Sequence, residues 1–414
     1  MTDKIDFTQI KEKGVPDCDK QTQPLHLLEL FGGIGAPRRA LEKAIRHLIT
    51  EKNPKADKRK ISKKTLDCIK SIDYVEIIPF AVQAYNQIFD LSNKPQDIRL
   101  WNMSVDILVH GSPCQDFSRE GRNNLNTGRS ILYERTMQIV NPFPTDGPPE
   151  LTRPPKIVIW ENVPNMAHSH PEVLAHYLQT MESYGYTNTF CASKKYIQKG
   201  GYISDRSIMI DHMLNASDYG IPQARDRFFC ISVLNEIADQ YGAYKMPEPT
   251  NTCPPLASFL DPNAIPAQNA FTPTELSITK KVGNQWFVKQ AVKGDFGAGP
   301  GYVPINDGQR IDLAFPNSKN RRGRVGDFAS TLTTSPRQGV LLNNQFRLFT
   351  AKEKLMLMGF SENDYNHMVS AGLTDNQIAH LSGNSICVPV LEHIFLAAFE
   401  QYPVLVDSLQ NITI

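Results

Sequence analysis

From Leu25 to Leu234, short apolar runs alternate with longer amphipathic stretches, the pattern of an α/β fold built on a mainly parallel sheet. LHLLELF (25–31) reads as a buried strand, and APRRALEKAIRHLI (36–49) repeats its apolar positions at helical spacing. DYVEII (73–78), DILVHG (106–111), KIVIWE (156–161) and RFFCISVL (227–234) continue the series of strands. The basic, polar stretch EKNPKADKRKISKK (51–64) reads as a solvated insertion between the first helix and the second strand. From 245 to 345 the pattern gives way to Pro-, Asn- and Gly-rich sequence such as MPEPTNTCPP and GDFGAGPGYVP. Phe, Tyr, Trp and Leu still recur there, which predicts a loop-rich second domain in place of disorder. RLFTAKEKLMLMGF (347–360) and QIAHLSGNSICVPVLEHIFLAAF (377–399) return to helical periodicity. The expected organisation is a large domain over 1–243, a smaller one over 244–375, and a segment over 376–414 that completes the first.

Composition narrows this picture only slightly. With 414 residues, 41% hydrophobic and 21% charged, the chain has the make-up of a soluble protein of two domains. A net charge of +1 supplies no global field, so nucleic-acid or membrane binding would have to come from local patches. The polar opening MTDKIDFTQIKEKGVPDCDK and the lack of an 18-residue apolar run predict a cytoplasmic protein with no membrane association. Seven cysteines, odd in number and never spaced C-x-x-C, argue against a disulfide framework and against a zinc site. No metal is expected, and His168 and His170 of HSH read as polar-loop residues.

In an open α/β sheet, ligands bind beyond the carboxyl ends of the strands. The first strand is followed by the glycine turn Phe31-Gly-Gly-Ile-Gly35, the third by Ser112-Pro113-Cys114-Gln115, and the fourth by Glu161-Asn162-Val163. A glycine turn, a thiol and a carboxylate therefore share one edge. The turn is not the dinucleotide form G-x-G-x-x-G, because Arg38 stands at the third glycine position, so a cofactor without a pyrophosphate fits better than NAD. Phe31 offers a face for an adenine, and Glu76 stands where a carboxylate accepts from ribose hydroxyls.

With F-x-G-x-G (31–35), P-C-Q (113–115), E-N-V (161–163), Q-x-R-x-R (223–227) and G-N-S (383–385) in this order, the chain resembles the DNA (cytosine-5)-methyltransferases. The resemblance implies S-adenosylmethionine as cofactor, a Rossmann-like catalytic domain, and a target-recognition domain between the last two motifs. It implies cofactor contacts at Phe31, Gly33, Gly35, Glu76, Ile77, Asp97, Ile98, Pro113, Leu132, Asn384 and Ser385. Double-stranded DNA is the expected partner, a cognate restriction endonuclease is a candidate one, and a monomer is the expected state.

The chemistry explains the motif residues. Cytosine C5 is a poor nucleophile until another nucleophile adds at C6, and a thiolate suits that task, which gives Cys114 its role. Arg225 and Arg227 are candidates for the positive field that activates it. By the resemblance, Glu161 meets cytosine N3 and the exocyclic amine, Arg227 meets O2, and Arg225 orients Glu161 or holds a phosphate. The spacing of two predicts Gln223, Arg225 and Arg227 on one face of a strand. Since a stacked base is out of reach, it must rotate out of the duplex. The Gly- and Asn-rich SREGRNNLNTGRS (118–130) then reads as a closing loop, with Ser118, Arg119, Arg122 and Arg129 toward DNA. Gln223 and the cluster Arg321, Arg322 and Arg324 complete the candidate DNA contacts. RNA cytosine methylation and a silent DNA-binding repressor are the rival readings.

Overall fold

The computed structural model describes residues 24–52, 61, 66–67, 70–98, 105–111, 130–141, 154–264, 269–320, 322–334 and 338–406. Nine strands of the first part are β1 (Leu25–Leu30), β2 (Lys70–Val75), β3 (Ile107–His110), β4 (Ile157–Asn162), β5 (Tyr186–Cys191), β6 (Ser207–Ile210), β7 (Leu214–Asn215), β8 (Gln223–Ala224) and β9 (Asp226–Leu234). The large sheet runs β2-β1-β3-β4-β9-β5-β6, with β7 added alongside β9. β1 to β4 pair in parallel, and β9 is antiparallel to both β4 and β5. Two consequences fix the site. The order reverses at β1, which opens a crevice between the ends of β1 and β3. Because β9 runs the other way, its first residues lie at the edge where β4 ends.

Helices α1 (Ala36–Lys52), α2 (Pro79–Phe89), α3 (Ser130–Val140), α4 (Pro164–Ser169) and α5 (Pro171–Ser183) follow the strands. Alternate residues of each strand enter opposite cores. Leu27, Val109, Ile159 and Ile231 join one core with α1, α2 and the terminal helix Val388–Gln401; Leu28, Leu108, Val158 and Trp160 join the other with α5. Burial on both faces is why these strands read as unbroken apolar runs.

The second part has its own small core of Phe271, Ile278, Val288, Ile305, Ile311, Leu313 and Leu341. It holds the sheet of β10 (Thr279–Val282), β11 (Gln285–Lys289) and β12 (Tyr302–Ile305). A second sheet contains β13 (Arg310–Asp312), β14 (Val325–Gly326), β16 (Gln338–Leu342) and β17 (Gln345–Leu348). β15 (Ala329–Ser330) leaves this region and pairs in parallel with β8 of the first.

Several local expectations change. Residues 345–348 are strand β17, so the helix in RLFTAKEKLM covers only Ala351–Met356. The stretch 377–399 is two helices, Asp375–Asn384 and Val388–Gln401, interrupted where Pro389 restarts the chain. HSH is not a polar loop: His168 lies in α4, and His170 precedes α5.

Candidate active site

The glycine turn is shaped by what lies beneath it. A Cβ on Gly32 would stand 2.8 Å from the Tyr74 ring, and one on Gly35 would stand 2.5 Å from Phe89 and 2.6 Å from Tyr85. Gly33 has φ +53 and open space where a side chain would stand, and its amide is turned toward Glu76. Phe31 adopts φ +56, a conformation uncommon for a bulky residue and one that concentrates at functional sites. Three side chains brace the turn. The Tyr74 hydroxyl donates to Gly33 O at 2.7 Å, and its ring stacks on Tyr85 at 3.7 Å. The Tyr85 hydroxyl donates to Glu29 Oε1 at 2.8 Å, while Glu29 Oε2 accepts the Arg38 backbone N–H at 3.1 Å. Glu29 is fully buried, and burial pushes its carboxyl up to about 7 against the opposing pull of those hydrogen bonds.

Glu76 stands just past β2 and ties the two strand ends together. Its Oε2 accepts from Gly33 N at 3.1 Å, and its Oε1 accepts from the amides of Ile77 at 2.8 Å and Ile78 at 2.9 Å. Oε1 is filled by two amides, but Oε2 accepts only one, so the carboxylate still has capacity for a ribose hydroxyl there. Ile77 is 61% exposed beside it, whereas Ile98 is buried in the second core. An open glycine turn, a carboxylate and an exposed apolar side chain fit a nucleoside cofactor. His380 lies edge-on to Phe80 of α2 at 6.0 Å and pairs with the exposed Asn384 at 3.1 Å, which brings Asn384 to the flank of this crevice. Asp97 is half-buried just before Ile98.

Glu161 closes the other side. Its Oε1 meets Arg227 Nε at 3.0 Å, with both side chains largely buried. Burial raises the Glu161 carboxyl, and Arg227 and then Arg225 pull it back. A Cβ on Gly111 would lie 3.5 Å from Glu161 Oε2, so the residue that follows β3, three before Cys114 in the sequence, lies against this carboxylate. The preceding His110 is fully buried and stacked on Trp160 at 5.8 Å. Burial pulls its imidazole down to about 3, so it stays neutral beneath that edge.

The Q-x-R-x-R segment departs from the expected single strand face. Gln223 is fully buried, donating to Leu357 O at 2.7 Å and accepting from Leu332 N at 2.9 Å, so it is not placed to touch DNA. Arg225 falls between β8 and β9 and is 2% exposed. Its guanidinium donates to Leu332 O at 2.9 Å, Gly383 O at 3.2 Å and Ser385 O at 2.7 Å. It therefore holds carbonyls, and Arg227 alone of the two arginines makes the ion pair with Glu161. Ser385 contributes its carbonyl to this clasp and is otherwise buried.

Cys114, Pro113, Ser118, Arg119, Arg122, Arg129, Arg321 and the side chain of Leu132 lie outside the described residues. Arg322 is half-buried and Arg324 exposed on the second part. Glu29, Tyr74 and Tyr85 are the supports the motif reading missed; an acid inside an otherwise apolar strand, LHLLELF, was the available signal. Among the described residues no group of His, Cys, Asp and Glu could hold a metal ion. Cys191, Cys230 and Cys387 are buried free thiols, and burial raises all three.

Comparison with known proteins agrees with this geometry. The profile of the C-5 cytosine-specific DNA methylases matches residues 25–400. The type II methyltransferase M.HhaI of Haemophilus parahaemolyticus is 26% identical over 91% of this chain and 94% of its own. The orphan methyltransferase M.SssI of Spiroplasma monobiae is 23% identical over 91% of this chain and 97% of its own. Among solved structures, the Entamoeba histolytica methyltransferase EhMeth shares the fold with a TM-score of 0.55 at 17% identity, covering 91% of this chain and 98% of that one. The S. pombe Dnmt2 methyltransferase does so with a TM-score of 0.53 at 18% identity, covering 93% and 99%. With the family profile spanning nearly the whole chain and the motif-bearing strand ends gathered at one edge, the protein belongs to the C-5 cytosine-specific DNA methylase family and is a DNA (cytosine-5) methyltransferase.

Proposed function

We propose that this enzyme methylates C5 of a cytosine rotated out of double-stranded DNA, through a covalent bond between Cys114 and C6. The observation that carries the reading is the Glu161–Arg227 pair at 3.0 Å, set against the end of β3 that leads into Cys114 and across the crevice from the glycine turn. When bound, S-adenosylmethionine supplies an electrophilic methyl group. Phe31, Gly33 and Gly35 would form its bed, with Glu76 and Ile77 at its ribose.

The Cys114 thiolate adds to C6, and the electron pair of the C5–C6 bond moves to make C5 an enamine carbon. Glu161, whose carboxyl is raised by burial, hydrogen-bonds N3 and the exocyclic amine as charge builds on the ring. Arg227 holds that carboxyl and reaches O2. Once C5 carries the methyl group, a base takes the C5 proton, the C5–C6 double bond re-forms and the thiolate leaves. Rotation of the base costs a few kcal/mol, met by contacts with the second part of the chain. A restriction endonuclease is a candidate partner because several relatives are type II methyltransferases, and a cytoplasmic monomer is the state proposed from the sequence.

A duplex bearing 5-fluorocytosine at the target position tests this, because fluorine cannot leave C5 as a proton does. With S-adenosylmethionine present, a denaturation-resistant protein–DNA complex is expected from the wild type and none from Cys114→Ser. No complex from a wild type that methylates ordinary DNA would refute the covalent route.

A further inference from the structure

The segment from Ser277 to Gly326 carries nine Lys or Arg residues, three Asp and no Glu, in a chain whose net charge is only +1. Its most elaborately built feature is the connection between β11 and β12. Gly294, Gly297, Gly299 and Gly301 there all have positive φ, a conformation only glycine adopts without strain.

The connection is held from within. Gly301 N donates to Gly294 O at 2.8 Å, and Asp295 Oδ1 accepts from Gly297 N and Gly299 N, both at 2.9 Å. Lys280 Nζ donates to Ala298 O at 3.0 Å, and Lys289 Nζ donates to Pro300 O. Both ammonium groups also lie over the Tyr302 ring, at 5.5 and 4.7 Å. Ala298 is tucked in at 6% exposure, while Phe296 projects at 49%. A Cβ on Gly323 would come within 2.3 Å of Lys289 O, so the Arg322–Arg324 segment is pressed against the base of the same loop. Lys293 in the loop and Arg324 beside Gly323 are exposed.

A lone exposed phenylalanine calls for no explanation. A phenylalanine at the tip of a loop fixed by a carboxylate and two ammonium groups, inside a basic surround, does. Resting on the DNA methyltransferase reading above, we propose that Phe296 is an apolar wedge that packs against the sugars and base edges of duplex DNA, with Lys293 and Arg324 on the flanking phosphates. The positive surround suits a polyanion; the one carboxylate in the loop, Asp295, is held ionised by two backbone N–H groups and is outnumbered by the surrounding ammonium and guanidinium groups. Because the loop is ordered before binding, little conformational freedom remains to be lost when the ring inserts. Apolar wedges of this kind partly unstack a base step, which also lowers the cost of rotating a neighbouring base outward.

The two kinds of contact separate by salt. Phosphate contacts release counterions, so each one removed lowers the slope of log K against log salt by about one, whereas an apolar wedge leaves the slope alone. The full chain is titrated with a random-sequence duplex pool over a series of salt concentrations. Phe296→Ala is expected to bind at least tenfold more weakly with an unchanged slope, and Phe296→Trp is expected to restore the affinity. Lys293→Gln is expected to flatten the slope. Thermal melting of Phe296→Ala should match the wild type, because half of the ring is already in water. Binding by Phe296→Ala within twofold of a wild type that methylates duplex DNA overturns the wedge alone. A wild type that methylates no duplex DNA overturns the reading on which the wedge rests.

Discussion

Glu29 gives the most quantitative prediction. It sits inside β1 with no exposure, under the turn proposed to hold the cofactor, and burial moves its carboxyl from 4.5 to about 7. The groups facing it are Arg38 and Tyr85, which favour the charged form through hydrogen bonds and charge, and Glu42, which opposes it. The folded protein therefore binds more protons at this site than the unfolded chain between those two pH values. Stability from Glu29 is fully present below 4.5 and is lost as pH rises to 7, beyond which the loss is constant. A shift of this size corresponds to roughly 3 kcal/mol at about 1.4 kcal/mol per pH unit. Glu29→Gln keeps the shape and one acceptor oxygen but removes the titration. Urea unfolding of the two proteins at a series of pH values measures the difference directly. The variant is expected to be no more stable than the wild type in acid, and to gain on it progressively up to neutrality by roughly 2–3 kcal/mol. Parallel stability curves across that range would refute the argument that the carboxyl is buried without full compensation.

Two further substitutions probe the junction between the parts. Arg225→Ala strips charge-assisted partners from three buried carbonyls, which should cost on the order of 3–5 kcal/mol and lower the melting temperature by about 3–6 °C; a melt within about 1 °C of wild type would show that water replaces the guanidinium freely. Gly383→Ala would put a Cβ 2.5 Å from Thr333 C and 2.6 Å from its O, a backbone contact that no side-chain rotation relieves. It should cost about 1–3 kcal/mol by urea titration and expose the 331–334 segment to protease, and an unchanged midpoint would contradict the close approach.

The catalytic edge was legible in the sequence because each of its polar groups directly follows a short apolar run, and a strand buried on both faces leaves such a run. β5 was not legible for the opposite reason. Tyr-Thr-Asn-Thr-Phe-Cys (186–191) is wholly buried yet half polar. Asn188 donates to Ser207 Oγ at 2.9 Å and accepts from Ser232 Oγ at 2.6 Å, so three strands share an internal hydrogen-bonded ladder that hydrophobic patterning cannot detect. β17 was hidden similarly. Its Arg347 is buried because Glu353 takes both guanidinium nitrogens, at 2.9 and 2.6 Å, and that partner lies beyond the strand itself. Spacing also misled at Q-x-R-x-R, where period-two reasoning assumes an unbroken strand.

The break at Arg225 has a consequence for how this enzyme couples recognition to chemistry. Were Gln223, Arg225 and Arg227 one exposed strand face, all three would be available to the nucleic acid. Instead, β15 adds to β8, and Gln223 and Arg225 turn inward to carbonyls and an amide contributed by Leu332, Leu357, Gly383 and Ser385. The second part of the chain and the G-N-S segment are thereby fastened to the residues immediately before Arg227. In the proposed mechanism Arg227 and Glu161 stabilise developing charge, and preorganised groups do so without reorganising during the reaction. A displacement of the 331–334 segment would reach Arg227 across only two peptide bonds from the Arg225 clasp. On the proposed mechanism the motif divides its labour: its glutamine and first arginine fix the position from which its second arginine would act.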